Sequence, residues 1–431
     1  MVFRLSSSVA RVFLVVAAFL LAAALSYSSI RNARAAHNAG LQTLQGYEKA
    51  AQLESGNPLN WYLLGHYWLF NLEEPDTGRA ISAYRTSLAL DPRSANTWMD
   101  LAAAYESQGD LQEAREAFSH ATRAYPLSAE VSWRYGNFLL RQGDLPQAFS
   151  EIRHAVEVDP QRAAEAFSRS WRVDPDIQAI LDKVLPPSAP VYLDAIRELD
   201  FSEEVAPALS VWSRLVTLHP HLKLGDVFPF IDMLLRTHHT AEARRVWDQA
   251  ANLAGLQPPG DPSGSVLWDG GFETGVRGGG FSWVFAPSLA GVQITLDTTT
   301  KHSGNQSLRL GFDGKRNVNF SDVCHFAQVQ PNTTYRLSGW LRTQALTTNQ
   351  GIRFRLIWRE NGQATSLDTS DVHGTQPWTK IEMPWTSPKD VQTVQVCISR
   401  NPADEFNIRI QGTAWVDDVS LVPQSAGDLK P

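Results

Sequence analysis

The sequence predicts a multidomain α + β chain: an N-terminal membrane helix, an α-solenoid of paired helices, and a C-terminal β-sandwich. Three observations predict it. Val12–Ile30 is a run of 19 uncharged residues. Pro58, Pro92, Pro126 and Pro160 stand 34 residues apart, a spacing that marks stacked repeats. After the Pro/Gly stretch Gly255–Gly264, the chain breaks into short alternating runs separated by turn residues. The expected divisions are a membrane segment over 1–35, helical repeats over 41–254, a linker over 255–265 and the sandwich over 266–424.

A helix of 19 residues is about 28 Å long, close to the hydrocarbon thickness of a bilayer. Arg4 and Arg11 precede it, and Arg31 and Arg34 follow. A cleavable signal peptide is the competing reading, with Val12–Leu25 as its apolar part. The "ARA" at Ala33–Ala35 lies too far beyond that run to be a good cleavage site. The segment is therefore read as an uncleaved signal anchor. Matched flanking arginines do not set orientation. Both routes carry the long C-terminal part across, so the expected location is a bacterial inner membrane, single-pass, with the bulk on the periplasmic or extracytoplasmic side.

The chain has 431 residues, 43% of them hydrophobic, and a net charge of -7, enough apolar material for two globular domains. Its acidic balance lacks the basic footprint of a nucleic-acid binder. Cys324 and Cys397 are the only cysteines. In an exported protein they can pair, provided that their strands are neighbours; the alternative is two buried thiols.

The clearest repeat is "TWMDLAAAYESQGDLQEAREAFSHATRAYP". Trp98, Leu101, Ala102 and Tyr105 are followed by Ala114, Phe118, Ala121 and Pro126. Small residues let two antiparallel helices touch, large ones fill the gap, and proline ends the second helix. This closely resembles the tetratricopeptide repeat. Further copies carry Leu64, Gly65, Trp68, Ala80 and Tyr84, and then Tyr135, Gly136, Leu139, Ala148 and Ile152. After Pro160 the ruler slips, and "AAEAFSRSWRVDP" reads as a second helix without its partner. Two more units follow, around Tyr192–Pro220 and Phe230–Ala250. Such a stack usually binds a peptide or protein in its concave face. Trp133 sits one residue later in its repeat than Trp98, which turns it toward that groove beside Asn96, Met99 and Asn137. The alternative is that Trp133 lies against a neighbouring helix.

In the last segment "WDGGFE", "HSGNQSLRL", "VQPNTTYRLSGWLRT", "PWTKIEMPWTSP" and "GTAWVDDVSLVP" follow in order. Together they resemble carbohydrate-binding modules of the galactose-binding-like jelly-roll type, the CBM4/9/22 group. That resemblance implies a structural calcium joining the start and end of the domain. Its carboxylates here would be Glu273 with Asp417 or Asp418, and backbone oxygens around Lys301–Gly304 would complete the shell. Strand parity places Asp417 inward and Asp418 outward; the alternative is that Asp417 accepts backbone N–H bonds at the sandwich rim.

Alternation also marks a ligand face. Trp340 and Arg342 lie opposite the apolar set Tyr335, Leu337 and Leu341, and Arg353, Arg355 and Arg409 share the outward parity. These residues are expected to cluster on one sheet, the ring stacking on a sugar and the guanidinium forks binding hydroxyls or carboxylates of an acidic glycan. A solvated face with locally paired arginines is the alternative. Trp283 stands near a loop as a further platform, whereas Trp378 reads as core.

No phosphate-binding Walker loop, HExxH, CxxC or GxSxG occurs. His219, His221, His238 and His239 have no acid at ligand spacing, and "RGGG" at Arg277–Gly280 reads as a loop. No enzyme is expected. The expectation is a non-catalytic, membrane-anchored envelope protein: a helical scaffold for a protein partner and a glycan-binding sandwich, accessory to assembly, export or anchoring of surface polysaccharide. The alternative is a protein scaffold whose sandwich binds no sugar.

Overall fold

The structure is a computed structural model that describes residues 8–256, 264–275, 278–285, 288–289, 291–360, 362–404 and 408–424. It divides into two compact units, Met1–Pro186 and Pro187–Pro431.

The first unit is helical: α1 (Ser8–Gly40), α2 (Leu44–Leu53), α3 (Pro58–Phe70), α4 (Thr77–Leu90), α5 (Ala95–Gln108), α6 (Leu111–Ala124), α7 (Ala129–Gln142), α8 (Leu145–Val158), α9 (Ala163–Val173) and α10 (Ile177–Lys183). Local chemistry fixes the helix ends. Ser94 and Ser128 cap α5 and α7 by accepting the N–H of Thr97 and Val131, and Gly109 and Gly143 end the same helices in the left-handed region. Within pairs the helices touch at glycine: a Cβ on Gly65 would come within 2.8 Å of Tyr84, and one on Gly136 within 2.7 Å of Ile152. α1 is the one helix among the described residues long and apolar enough to cross a membrane.

One repeat assignment changes. α9 was expected as a second helix without a partner, but it starts 34 residues after α7, in the slot of a first helix. The seven-residue α10 follows it. Ala163, Ala166, Phe167 and Ser170 bury one face of α9, and this periodicity alone does not distinguish first from second helix.

The second unit opens with α11 (Ala189–Phe201), α12 (Val205–Thr217), α13 (Phe228–Arg236) and α14 (Thr240–Leu253). Among the described residues eleven strands follow: β1 (Trp283–Val284), β2 (Ser288–Leu289), β3 (Val292–Asp297), β4 (Ser307–Asp313), β5 (Phe320–Gln328), β6 (Thr334–Leu346), β7 (Arg353–Glu360), β8 (Gln363–Asp368), β9 (Gly374–Thr386), β10 (Thr393–Arg400) and β11 (Gln411–Pro423). They form two antiparallel sheets, β1-β5-β10-β7-β8 and β2-β3-β4-β11-β6-β9, closing on a shared apolar core. Residues 408–410 belong to no strand. Cys324 and Cys397 pair across β5 and β10 and form a disulfide.

The unit boundary falls at Pro186/Pro187 and not in the stretch 255–265, most of which lies outside the described residues. The physical reason is an aromatic joint. Trp247 of α14 is fully buried, edge-on to Trp268 at 5.1 Å and to Phe281 at 6.2 Å. Gly279 and Gly280, from the "RGGG" loop, fit where a Cβ would come within 2.5 Å of Phe228 and 2.8 Å of Trp247. The last helices and the sandwich therefore share one interior.

Candidate functional site

Of the expected site residues, Asp417 and Asp418 lie at the rim where β11 meets the loop before β4. Register between β11 and β6 shifts between Asp417 and Ser420, and Asp418 takes φ +47. This bulge corrects the expected parity. Before it, Ala414 and Val416 enter the core while Trp415 and Asp417 face outward, and Asp417 pairs with Trp340. After it, Val419 and Leu421 enter the core. Asp417 is thus on the outer side of the sheet, yet fully buried beneath the 301–305 loop.

That loop supplies donors. Asp417 Oδ2 accepts the N–H of His302 (2.7 Å) and Ser303 (3.2 Å), and its Oδ1 accepts the N–H of Asp418 (2.8 Å). Burial and then the neighbouring Asp418 charge push its carboxyl up to about 6, against the pull of these amides. Asp418 accepts His302 Nδ1 at 2.6 Å and Ser303 Oγ at 2.7 Å. Glu273 Oε1 accepts the N–H of Asn305 at 2.8 Å.

A Cβ on Gly271 would lie 3.6 Å from Glu273 Cγ, 3.7 Å from Asp418 Oδ1 and 3.8 Å from Asp417 Oδ1, so two carboxylate oxygens and the stem of a third acid meet there. Hard carboxylate oxygens suit calcium chemistry. Around Lys301–Gly304, however, it is N–H groups that face these carboxylates, and among the described residues no three such side chains gather closely enough to hold an ion. The calcium expectation therefore rests on the carboxylates alone.

The outer face of the six-stranded sheet continues from this rim. His302 stacks on Trp340 with centroids 3.9 Å apart, and Trp378 stands edge-on to His302 at 5.7 Å. All three rings are half-buried, so Trp378 is not the core residue that was expected. Arg342 is exposed and lies over Trp415 at 5.6 Å, and Lys380 pairs with Glu382. His302 was missed as a site residue because nothing in "KHSG" alone shows that it crosses to β6.

The expected single cluster divides. Arg353 and Arg355 stand on β7, in the other sheet from Trp340 and Arg342. Arg355 forks onto Asp368 at 2.6 and 2.7 Å and also donates to Asn401. Arg353 reaches Gln350, Asp368 and Asp371. Hydrogen bonding to Arg355 holds the Asp368 carboxyl below its usual range. These arginines follow the locally paired alternative. Arg409 is exposed but stands outside any strand. Trp283 is no platform: it is buried, stacked on Phe272 at 4.9 Å, and donates Nε1–H to the carbonyl of Asp269. Sequence reasoning also missed Arg400, whose fully buried guanidinium is satisfied by Gln350, Asn317, Val318 and Thr348.

In the first unit, Asn96 is exposed while Met99, Trp133 and Asn137 are buried. Trp133 is covered by the guanidinium groups of Arg162 (5.4 Å) and Arg169 (5.1 Å), and Arg169 donates to Asn137. Beside it, Asp100 accepts both terminal nitrogens of Arg134 and the hydroxyl of Tyr62. Burial and the Asp100 charge push the Tyr62 hydroxyl up to about 12. Successive first helices are thus tied together by the Asp100–Arg134 ion pair and by the hydrogen bonds of Tyr62 to Asp100 and Arg169 to Asn137.

Comparison with known proteins agrees with both folds. Residues 71–132 and 107–163 match family models described as tetratricopeptide repeat, and residues 264–404 match one described as carbohydrate binding domain. Among curated relatives, a tRNA(Glu)-specific nuclease WapA of Bacillus subtilis subsp. natto is 24% identical over 181 residues, 41% of this chain and 8% of that protein. Protein bimA of Emericella nidulans is 33% identical over 88 residues, 20% of this chain and 10% of that protein. The chain thus spans a tenth or less of the length of these relatives. Similar solved structures include the CBM22-1 xylan-binding domain from Paenibacillus barcinonensis Xyn10C, with 15% identity, TM-score 0.28, and coverage of 39% of this chain and 99% of that one. They also include YrrB, described as a TPR protein with an unusual peptide-binding site, with 15% identity, TM-score 0.26, and coverage of 49% and 94%. The matched stretches, residues 71–163 and 264–404, are thus of the tetratricopeptide-repeat and carbohydrate-binding-domain types.

Proposed function

We propose that the chain is a non-catalytic, membrane-anchored envelope protein that holds a protein partner on its helical repeats and a glycan on its sandwich. Its role in this reading is accessory to assembly, export or anchoring of surface polysaccharide. The observation that carries the glycan half is the half-exposed group His302, Trp340 and Trp378 on the outer face of the six-stranded sheet, with Arg342 beside it. Aromatic faces bind the C–H side of a sugar ring, and the nearby guanidinium provides donors for hydroxyls or carboxylates. Anchoring is supported by α1, whose apolar residues Phe13, Phe19 and Leu20 are at least 65% exposed. The partner half draws on the first-helix face around Asn96, Arg134 and Arg169, with Trp133 and Asn137 behind them. Calcium is proposed as a structural cation held by Glu273 and the Asp417–Asp418 pair, where it would offset the burial of Asp417.

A glycan array probed with the full chain in detergent tests the reading, with binding that is lost in Trp340→Ala as the expected result. The second reading, a scaffold whose sandwich binds protein only, is favoured by the internal pairing of Arg353 and Arg355. It predicts an array without signal.

A further inference from the structure

The buried positions of the second helices keep the 34-residue ruler. Ala80, Ala114 and Ala148 form one series on α4, α6 and α8, and Tyr84, Phe118 and Ile152 another, all buried. One period earlier stand Gly46 and Ala50 of α2, also buried. α2 is therefore the second helix of a further repeat, N-terminal to those that the family models match. Its first helix is owed two periods before α5 (Ala95–Gln108), which is Tyr27–Gly40. That slot is filled by the end of α1.

The contact is a built one. Ala35 is fully buried. Gly46 lies so close to the carbonyl of Asn38 that a Cβ would collide with it. The connection is a tight turn: the N–H of Leu41 bonds Asn38 (3.1 Å), that of Gln42 bonds Ala39 (3.2 Å), Gln42 takes φ +53, and Thr43 caps α2 through Gly46. α1 is one helix of 33 residues, about 50 Å, whereas Val12–Ile30 needs only about 30 Å of it to cross a bilayer.

We propose that α1 is both the membrane span and the first helix of the repeat array, so that the partner groove is mounted rigidly at the membrane surface and the chain stays uncleaved at Ala33–Ala35. This rests on the membrane reading above. Cleavage there would remove the buried Ala35 and uncover Gly46 and Ala50.

The test uses the full chain in native membranes and in detergent. Intact-mass measurement of the mature protein is expected to find the residues before Ala35 retained. Inserting six Gly/Ser residues after Gly40 is expected to lower the melting temperature of the helical unit by several degrees, because a terminal repeat loses its first helix. Gly46→Leu is expected to speed trypsin cleavage at Arg31 and Arg34 about tenfold, while resistance to carbonate extraction stays unchanged. A mature N-terminus at Ala36 would overturn the proposal, as would an insertion without effect on melting and on cleavage. Carbonate extraction of the parent protein would instead defeat the membrane reading, leaving the melting and cleavage results to decide whether α1 caps the array.

Discussion

His302 stacks on Trp340 across the rim of the sandwich, 3.9 Å between centroids and 18° between planes, while its Nδ1 contacts Asp418 Oδ2 at 2.6 Å. One imidazole thus ties the loop before β4 to β6 through its face and to the β11 bulge through its edge. Aromatic contacts of this kind contribute about 1 kcal/mol. His302→Ala is expected to lower the melting temperature of the sandwich by a few degrees without unfolding it, because the loop still gives its amides to Asp417. Differential scanning calorimetry reads this; an unchanged transition would show that the loop is held by the backbone alone.

Calcium is expected to raise the melting temperature by ligand linkage. Scans of the full chain in EDTA and in millimolar calcium measure it, and Glu273→Gln should remove most of the gain. Identical scans would reject the cation.

His325 is expected to make the second unit acid-sensitive. It is fully buried, and burial lowers its pKa to about 4 from 6.5. Its folded pKa lies below its unfolded one, so the unfolded chain binds the proton first. The stability it supports is complete above pH 6.5 and is lost as the pH falls toward 4, by about 3 kcal/mol over that window. His325→Gln is expected to flatten this part of the stability–pH curve as followed by urea unfolding. An equally steep curve would assign the acid sensitivity elsewhere.

The joint at Trp247 predicts how the chain can be divided. A fragment starting at Pro187 should melt cooperatively, whereas one starting at Gly264 would expose Trp268 and Phe281 and should melt lower or aggregate. Trp247→Ala is expected to cost about 3–5 kcal/mol, the usual range for a buried tryptophan. Equal melting of the two fragments would restore the boundary to the Pro/Gly stretch.

The repeats and the sandwich were legible because both periods are written in side-chain volume: the 34-residue prolines, the small residues at Gly65 and Gly136, and the alternation of β6 and β7. The site was less legible because it depends on what local pattern does not carry. Assignment of β6 and β7 to different sheets separated Trp340 from Arg353 and Arg355, though each strand's own parity was read correctly. A single bulge at Asp418 reversed the side on which Asp417 stands. Trp247 and Trp268 lie on either side of a stretch that looks like a linker, and only tertiary contact joins them.

In the proposed reading glycan binds on the outer face of the six-stranded sheet. Calorimetric titration of the full chain with neutral and uronic-acid oligosaccharides, repeated for Trp340→Ala, Arg342→Ala and Arg355→Ala, measures this binding. Trp340→Ala is expected to weaken every ligand about tenfold, the effect of roughly 1.4 kcal/mol of lost stacking. Arg342→Ala should weaken the uronic-acid ligand more than the neutral one, and added salt should imitate that loss. Arg355→Ala, which breaks the pair with Asp368, should lower stability and leave affinity as it was. Parent-like affinity in Trp340→Ala, with binding lost in Arg355→Ala, would move the site to the five-stranded sheet.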